Sequence, residues 1–242
     1  MKLGFLLNPY AGVGGPLAEK GRADPRLQRR ASMGEVALRA EGRAEVFWQS
    51  LTPLPEPVEV VSAPGQMGAD VLTRLGVPFT TIQYSLSNVS CAGDTTAIAT
   101  LMADAAVDIL VFVGGDGTAR DVCSAVADRQ LVLGVPSGVK MHSGVYAINP
   151  QAAATVICKL ANGELTSVSC QEVRDIDEAA FRSGRVRSRY FGEMRVPAEA
   201  SFIQAVKQGG IESEPLVITD IAAYLEEQLE PDTMVVVAGG ST

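Results

Sequence analysis

The sequence has few of the features that mark secreted, membrane-spanning or metal-binding proteins. Aromatic residues make up only 5% of the 242 residues, and the chain has one histidine and four cysteines. The cysteines show neither the paired spacing of a zinc site nor the density of a disulfide-rich domain. No stretch approaches the run of about 18 apolar residues that a transmembrane helix needs. We therefore expect a cytoplasmic protein without a membrane partner, whose cysteines stay reduced.

Basic charge is also scarce. The chain carries 20 Lys and Arg against 28 Asp and Glu, a formal net charge of −8. A protein that binds nucleic acid normally presents a basic stripe, and none compensates for this excess of acid. Nucleic acid is therefore not an expected partner. The length and the 47% hydrophobic content instead allow one large or two ordinary domains with real cores.

Short apolar stretches alternate with helix-like segments through residues 1–162. This alternation predicts an α/β domain with a Rossmann-like parallel sheet and helices on both faces. From residue 163 to 242 the alternation stops, and we expect a β-rich second domain. The predicted strands are 2–7, 58–61, 79–84, 109–113, 131–135, 166–175, 186–196 and 234–237; the predicted helices are 25–42, 67–75, 94–105, 118–127, 150–160 and 214–227, with Asp94 and Asn149 as caps.

The most informative stretch is the strand 109–113 followed by Gly114-Gly115-Asp116-Gly117-Thr118. A strand that turns through glycines into a helix leaves backbone N–H groups that bind phosphate at the helix start. A carboxylate within such a turn would repel phosphate unless it held a metal ion or accepted a proton. This combination favours phosphoryl transfer. The alternative is an ordinary turn in which Asp116 only caps the following helix.

Two further loops should lie at the carboxyl ends of the same strands, where ligands bind in parallel sheets. The loop 8–16 is rich in glycine, and a plain surface loop remains an equal alternative for it. The loop 136–143 carries hydroxyl, amine and imidazole groups within a few residues. A structural role for the lone histidine remains open beside a chemical one. The candidates are Asn8, Gly12, Gly14, Gly15, Ser137, Lys140, His142 and Ser143.

The motifs at 8–9, 114–121 and 134–143 together resemble the ATP-NAD kinase-like proteins, and more narrowly a branch that includes acetoin-catabolism protein X. The resemblance implies that Asp116 is the base for the acceptor hydroxyl, here the 2′-hydroxyl of NAD. Gly114, Gly115, Gly117 and Thr118 match the phosphate-donor loop. The donor would be ATP or polyphosphate with a divalent metal, Mg²⁺ by preference, and no residue is assigned as a metal ligand. Asp116→Asn should then leave folding nearly intact and lower turnover by about two orders of magnitude.

Three functions are carried forward from the sequence. The first is a kinase acting on NAD or a related nucleotide, and the second is a kinase of another hydroxyl acceptor such as a lipid. The third is a nucleotide-binding regulator without turnover. Such relatives continue beyond the segment that matches Gly239-Gly240-Ser241-Thr242, so we expect this chain to be shorter, to have little or no kinase activity and to be homo-oligomeric.

Overall fold

Five parallel strands form the central sheet of the computed structural model, which describes residues 1–12, 39–86, 89–138, 141–176, 188–199 and 202–204. The strands are β1 (Lys2–Leu7), β2 (Glu59–Ser62), β3 (Thr80–Thr81), β4 (Ile109–Gly114) and β5 (Val132–Pro136). Their spatial order is β3-β2-β1-β4-β5, and all four pairings are parallel. The predicted α/β fold is confirmed. From β1 the chain first adds β2 and β3 on one side and then β4 and β5 on the other side. The carboxyl ends of β1 and β4 therefore flank a topological switch point, where ligands bind in parallel sheets.

Helices cover both faces of this sheet. In chain order they are α1 (Arg39–Leu51), α2 (Ala69–Leu75), α3 (Ala92–Asp104), α4 (Asp116–Val126) and α5 (Pro150–Ala161). The first, second and fifth share one apolar core, whereas α3 and α4 belong to a second core. Strand alternation explains the division: Phe5 and Leu7 enter the first core, and Leu6 enters the second. The helices therefore bury both sides of the fully buried strand β4.

An antiparallel pair of strands follows α5 along the chain. It consists of β6 (Val168–Ile176) and β7 (Ser188–Pro197), and its apolar side chains Val173, Met194 and Val196 join the core of α3 and α4. The two predicted strands of this region are confirmed. The predicted domain boundary near residue 162 stays a prediction. The predicted turn at 183–184, the helix 214–227, the strand 234–237 and the final 239–242 turn lie outside the described residues.

Two predicted boundaries were wrong. The helix expected to end at Gly42 continues to Leu51, and the part of it before residue 39 lies outside the described residues. Its buried residues Ala40, Ala44, Phe47, Trp48 and Leu51 keep helical spacing, and Gly42 is exposed on the opposite side. The strand expected at 79–84 is reduced to Thr80–Thr81. Packing of an apolar face therefore outweighs the local preference of one glycine to end a helix.

The predicted cap of α3 was also wrong by three residues. Cys91 is the N-cap, and Asp94 is the third helical residue, whose carboxylate accepts the Cys91 N–H at 2.7 Å. The Tyr84 hydroxyl donates to the other oxygen at 2.7 Å. Burial alone would raise the pKa of Asp94, but the hydrogen bonds from Tyr84 and Cys91 outweigh it and lower that pKa. By contrast, the predicted cap Asn149 is confirmed, with Pro150 in the first helical turn.

Short pairings close both ends of the sheet. At one end β3 contributes only two residues. At the other, the outer side of β5 is paired at Gly134, which donates to Val145 O at 2.8 Å and accepts from Ala147 N at 2.9 Å. The segment that covers β5 is paired in turn with residues 202–204 through the Ala147–Ile203 bridge. The long strands β1 and β4 are therefore interior strands.

Candidate functional site

In the turn between β4 and α4, where a phosphate-binding turn is predicted, the backbone of Gly114 lies close to the side chain of Thr118. Gly115 is the N-cap of α4, and its carbonyl accepts the N–H groups of Thr118 and Ala119 at 2.7 and 3.1 Å. A Cβ atom at Gly114 would lie 2.4 Å from the Thr118 side chain, closer than real Cβ contacts come. Glycine at 114 therefore lets the first turn of α4 fold back against the strand. The helix itself begins at Asp116, two residues earlier than predicted.

The loop after β1 reaches the same turn. Asn8 continues the strand by donating its N–H to Val113 O at 3.0 Å. Its side-chain amide donates to Thr118 Oγ1 at 2.9 Å, and its oxygen accepts the Tyr10 N–H at 3.2 Å. The hydroxyl of Tyr10 lies 3.3 Å from Gln66 Oε1, and burial raises the pKa of this phenol, which keeps it protonated as a donor. Asn8 thus ties the first loop to the turn between β4 and α4.

The same loop passes close to the loop that follows β5. Gly12 has φ 79°, in the region that favours glycine, and a Cβ atom there would lie 3.0 Å from Ser137 O. The Ser137 N–H donates to Gly114 O at 2.9 Å. Ser137 Oγ is buried and has no hydrogen-bond partner among the residues that the structure describes. The structure therefore brings Gly12, Ser137 and the turn together. The candidates Gly14, Gly15 and Lys140 lie outside the described residues.

Asp116 points away from its own helix and towards the loop after β5. Its Oδ2 accepts the His142 N–H at 2.8 Å and lies 3.0 Å from His142 Nδ1, and its Oδ1 accepts the Ser143 N–H at 3.0 Å. The side chain is only 8% exposed. The alternative in which Asp116 caps its own helix is wrong, because α4 has no side-chain cap and the carboxylate bonds forward along the chain.

Ser143, whose N–H bonds to Asp116, also bonds to strand β6 through its hydroxyl group. Its hydroxyl donates to Arg174 O at 2.8 Å and accepts the Arg174 N–H at 3.0 Å. The next residue, Gly144, donates its N–H to Glu172 O at 3.0 Å. Residues 142–144 are therefore held between the start of α4 and strand β6, which fixes the position of the His142 ring.

Two residues of the site were missed by sequence reasoning. Tyr146 is fully buried, and its hydroxyl donates to Gly115 O at 2.6 Å, directly before Asp116. Its ring fills the space that a Cβ atom at Gly134 would occupy, and it packs edge-on against Phe112. The other residue that was missed is Arg174, whose main-chain N–H and C=O bond to the Ser143 hydroxyl. The Gly134–Tyr146 pairing could have been suspected from the short apolar run Val-Tyr-Ala-Ile at residues 145–148, which is rich in strand-forming residues.

The described residues do not form a metal site by themselves. Within the described ranges, no group of three or more His, Cys, Asp or Glu side chains is placed to hold a metal ion. Two main-chain N–H groups and the His142 ring already contact the two oxygens of Asp116. Of the helices in these ranges, none is long and apolar enough to cross a bilayer.

A comparison with protein families identifies the family of this chain. Residues 4–165 match the profile of the ATP-NAD kinase N-terminal domain, which is more than half of the chain, and the chain belongs to this family. The class of protein indicated by this membership is a kinase-type phosphotransferase with a nucleotide-binding fold. No curated protein and no solved structure matches the chain. The narrower resemblance to the acetoin-catabolism branch is not confirmed by the match and stays a prediction.

Proposed function

We propose that this chain transfers a phosphoryl group from ATP or polyphosphate to the 2′-hydroxyl of NAD or of a related nucleotide. The observation that carries the proposal is the meeting of three strand-end loops around Asp116. The turn 114–118 follows β4, the Asn8 loop follows β1, and the described residues 137–138 and 141–143 come after β5. Family membership supports the kinase class, and the choice of NAD as acceptor follows from the family's name.

Phosphoryl transfer asks a protein mainly to position the reactants and to stabilise charge. The glycine turn at the start of α4 is suited to the phosphate groups of a donor, because helix N-termini favour anions. A divalent ion would arrive with the donor phosphates, as Mg²⁺ usually retains waters and phosphate ligands. The chain's own contribution at the acceptor is a buried carboxylate next to an imidazole.

The test is a coupled assay for NADP with purified protein, NAD and either ATP or polyphosphate. We expect NADP formation that is lost in Gly114→Ala, where the new methyl group displaces the first turn of α4. Gly42→Ala is the matched control, since no atom lies within 4 Å of a Cβ there. Robust binding of NAD and ATP without NADP formation would contradict the proposal.

A non-catalytic nucleotide-binding regulator is the second candidate. One observation favours it: both oxygens of Asp116 already accept N–H groups, so the carboxylate also serves to hold a loop. Isothermal titration with NAD, ATP and ADP separates binding from no binding. Tight binding by a chain that forms no NADP with either donor would support the regulator.

A further inference from the structure

His142 is the only histidine of the chain, and Asp116 holds its ring from one side. An ionised carboxylate accepts hydrogen bonds but cannot donate them, so Nδ1 of the ring is the donor in its contact with ionised Asp116. In a neutral imidazole the other nitrogen, Nε2, then carries the lone pair. No described residue is recorded as a hydrogen-bond partner of Nε2, and the side chain is 15% exposed. The pair therefore presents a basic nitrogen at the site.

We propose that His142 Nε2, rather than Asp116, accepts the proton of the acceptor hydroxyl, and that Asp116 positions the ring. The inference rests on the proposed phosphotransferase function. In the step, the hydroxyl O–H bond breaks and its proton passes to Nε2. The freed oxygen forms a bond to the terminal phosphorus of ATP or polyphosphate. The bond from that phosphorus to the bridging oxygen breaks, and the departing ADP or shortened polyphosphate keeps the electron pair.

The occupancy of the two side chains favours this division of roles. Asp116 has about four acceptor positions on its two oxygens, and three N–H groups point at them. Accepting a further proton would disturb the bonds that hold residues 142 and 143. The imidazole loses no recorded contact when Nε2 is protonated, and the carboxylate stabilises the resulting cation. A carboxylate plays the same part beside the histidine of a Ser-His-Asp triad.

The charged groups on the neighbouring elements have ion-pair partners of their own. The loop 141–144 packs against α4, which carries Asp116, Arg120 and Asp121, and against β6, which carries Glu172, Arg174 and Asp175. Arg120 is paired with Asp121 and Asp175, and Arg174 with Glu172. Among the described residues, Asp116 is the charged group recorded in contact with the imidazole.

A single histidine makes the ring directly observable by NMR. In protein without a histidine tag, two-bond ¹H–¹⁵N correlations report which nitrogen holds the proton. At a pH that leaves the ring neutral, we expect the proton on Nδ1 in the wild-type chain. In Asp116→Ala, which removes the acceptor of Nδ1, it should redistribute towards Nε2. A wild-type ring protonated on Nε2, or a tautomer unchanged by Asp116→Ala, would overturn the assignment whatever the activity.

The kinetic arm uses His142→Asn, whose amide keeps a donor for Asp116 but has no basic nitrogen. We expect NAD binding to persist and turnover to fall by about 10²-fold or more. Ser143→Ala loosens the same loop without removing the base, so its loss of turnover should be smaller than that of His142→Asn. Wild-type NADP formation with an unaffected His142→Asn variant would overturn the proton transfer alone. No NADP from the wild-type chain would overturn the proposed function and the proton transfer together.

Discussion

Replacing Asp116 by asparagine tests how much the carboxylate contributes to folding as well as to turnover. An asparagine side chain offers one oxygen and one NH₂ group, whereas three N–H groups converge on Asp116. In its better orientation the amide oxygen faces His142 and accepts two of them. The NH₂ group then opposes the Ser143 N–H. Whichever way the amide turns, a donor faces a donor inside the protein.

The expected loss of stability follows from these contacts. A hydrogen bond to a charged group contributes about 1.5–3 kcal/mol, and a buried unsatisfied group costs about 1–3 kcal/mol. Because the Asp116 side chain is almost fully buried, solvent screening reduces these values little. We expect a loss on the order of 2–4 kcal/mol in the free energy of unfolding, or about 4–16 °C in Tm for a chain of this size. This revises the expectation from sequence that the substitution leaves folding nearly intact.

Thermal and urea unfolding measure the change, with Asp108→Asn as the matched control. Asp108 accepts a single recorded N–H, from Lys2, at an exposed position, and an asparagine oxygen can accept it as well. The control should therefore change stability by no more than about 0.5 kcal/mol. If Asp116→Asn unfolded within a degree or two of the wild type, the three contacts would not hold the loop in solution, and the reasoning from them would fail.

Two further substitutions probe the frame around the site. Gly114→Ala should cost about 1–3 kcal/mol, because its methyl group overlaps the Thr118 side chain; Gly42→Ala should instead stabilise α1 by about 0.5–1 kcal/mol, and equal urea midpoints for the two would refute the steric argument. Tyr84→Phe removes the donor that helps to lower the pKa of Asp94. A lowered carboxyl pKa gives stability that is present above its ordinary value of 3.8 and is lost as the pH falls through the folded value. Tyr84→Phe should therefore move acid unfolding, followed by circular dichroism, to higher pH, and an unchanged midpoint would count against that contact.

The order of strands and helices could be predicted because each element carries its own periodicity. Strand β4 is a run of buried residues ended by Gly114, and α5 begins with an asparagine cap followed by proline. The boundaries that failed depended on tertiary packing. The α1 helix continues past Gly42 because Phe47 and Trp48 pack on Phe5 of β1, a contact that no local pattern reveals.

The location of the candidate site could be predicted from the sequence, but the hydrogen bonds within it could not. The turn after β4 and the loop after β5 follow neighbouring strands, so their proximity follows from a parallel sheet. The Asp116–His142 contact joins residues 26 positions apart, and it depends on the path that the chain takes after β5. A lone histidine at a strand end was visible in the sequence, but its partner was not. Tyr146 was missed because its hydroxyl bonds to a main-chain carbonyl, which carries no side-chain signal.

The short pairings that close the sheet restrict how copies of this chain can associate. A long free strand offers consecutive unpaired N–H and C=O groups, and it invites a second molecule to extend the sheet. Here β3 offers two residues, and the outer side of β5 is occupied at Gly134 by residues 145–147. Among the described residues, the edges of the five-stranded sheet therefore offer little backbone to a second copy, whereas β7 exposes the side chains of Tyr190 and Phe191. Growth of the parallel sheet by edge pairing is thereby limited in this part of the chain.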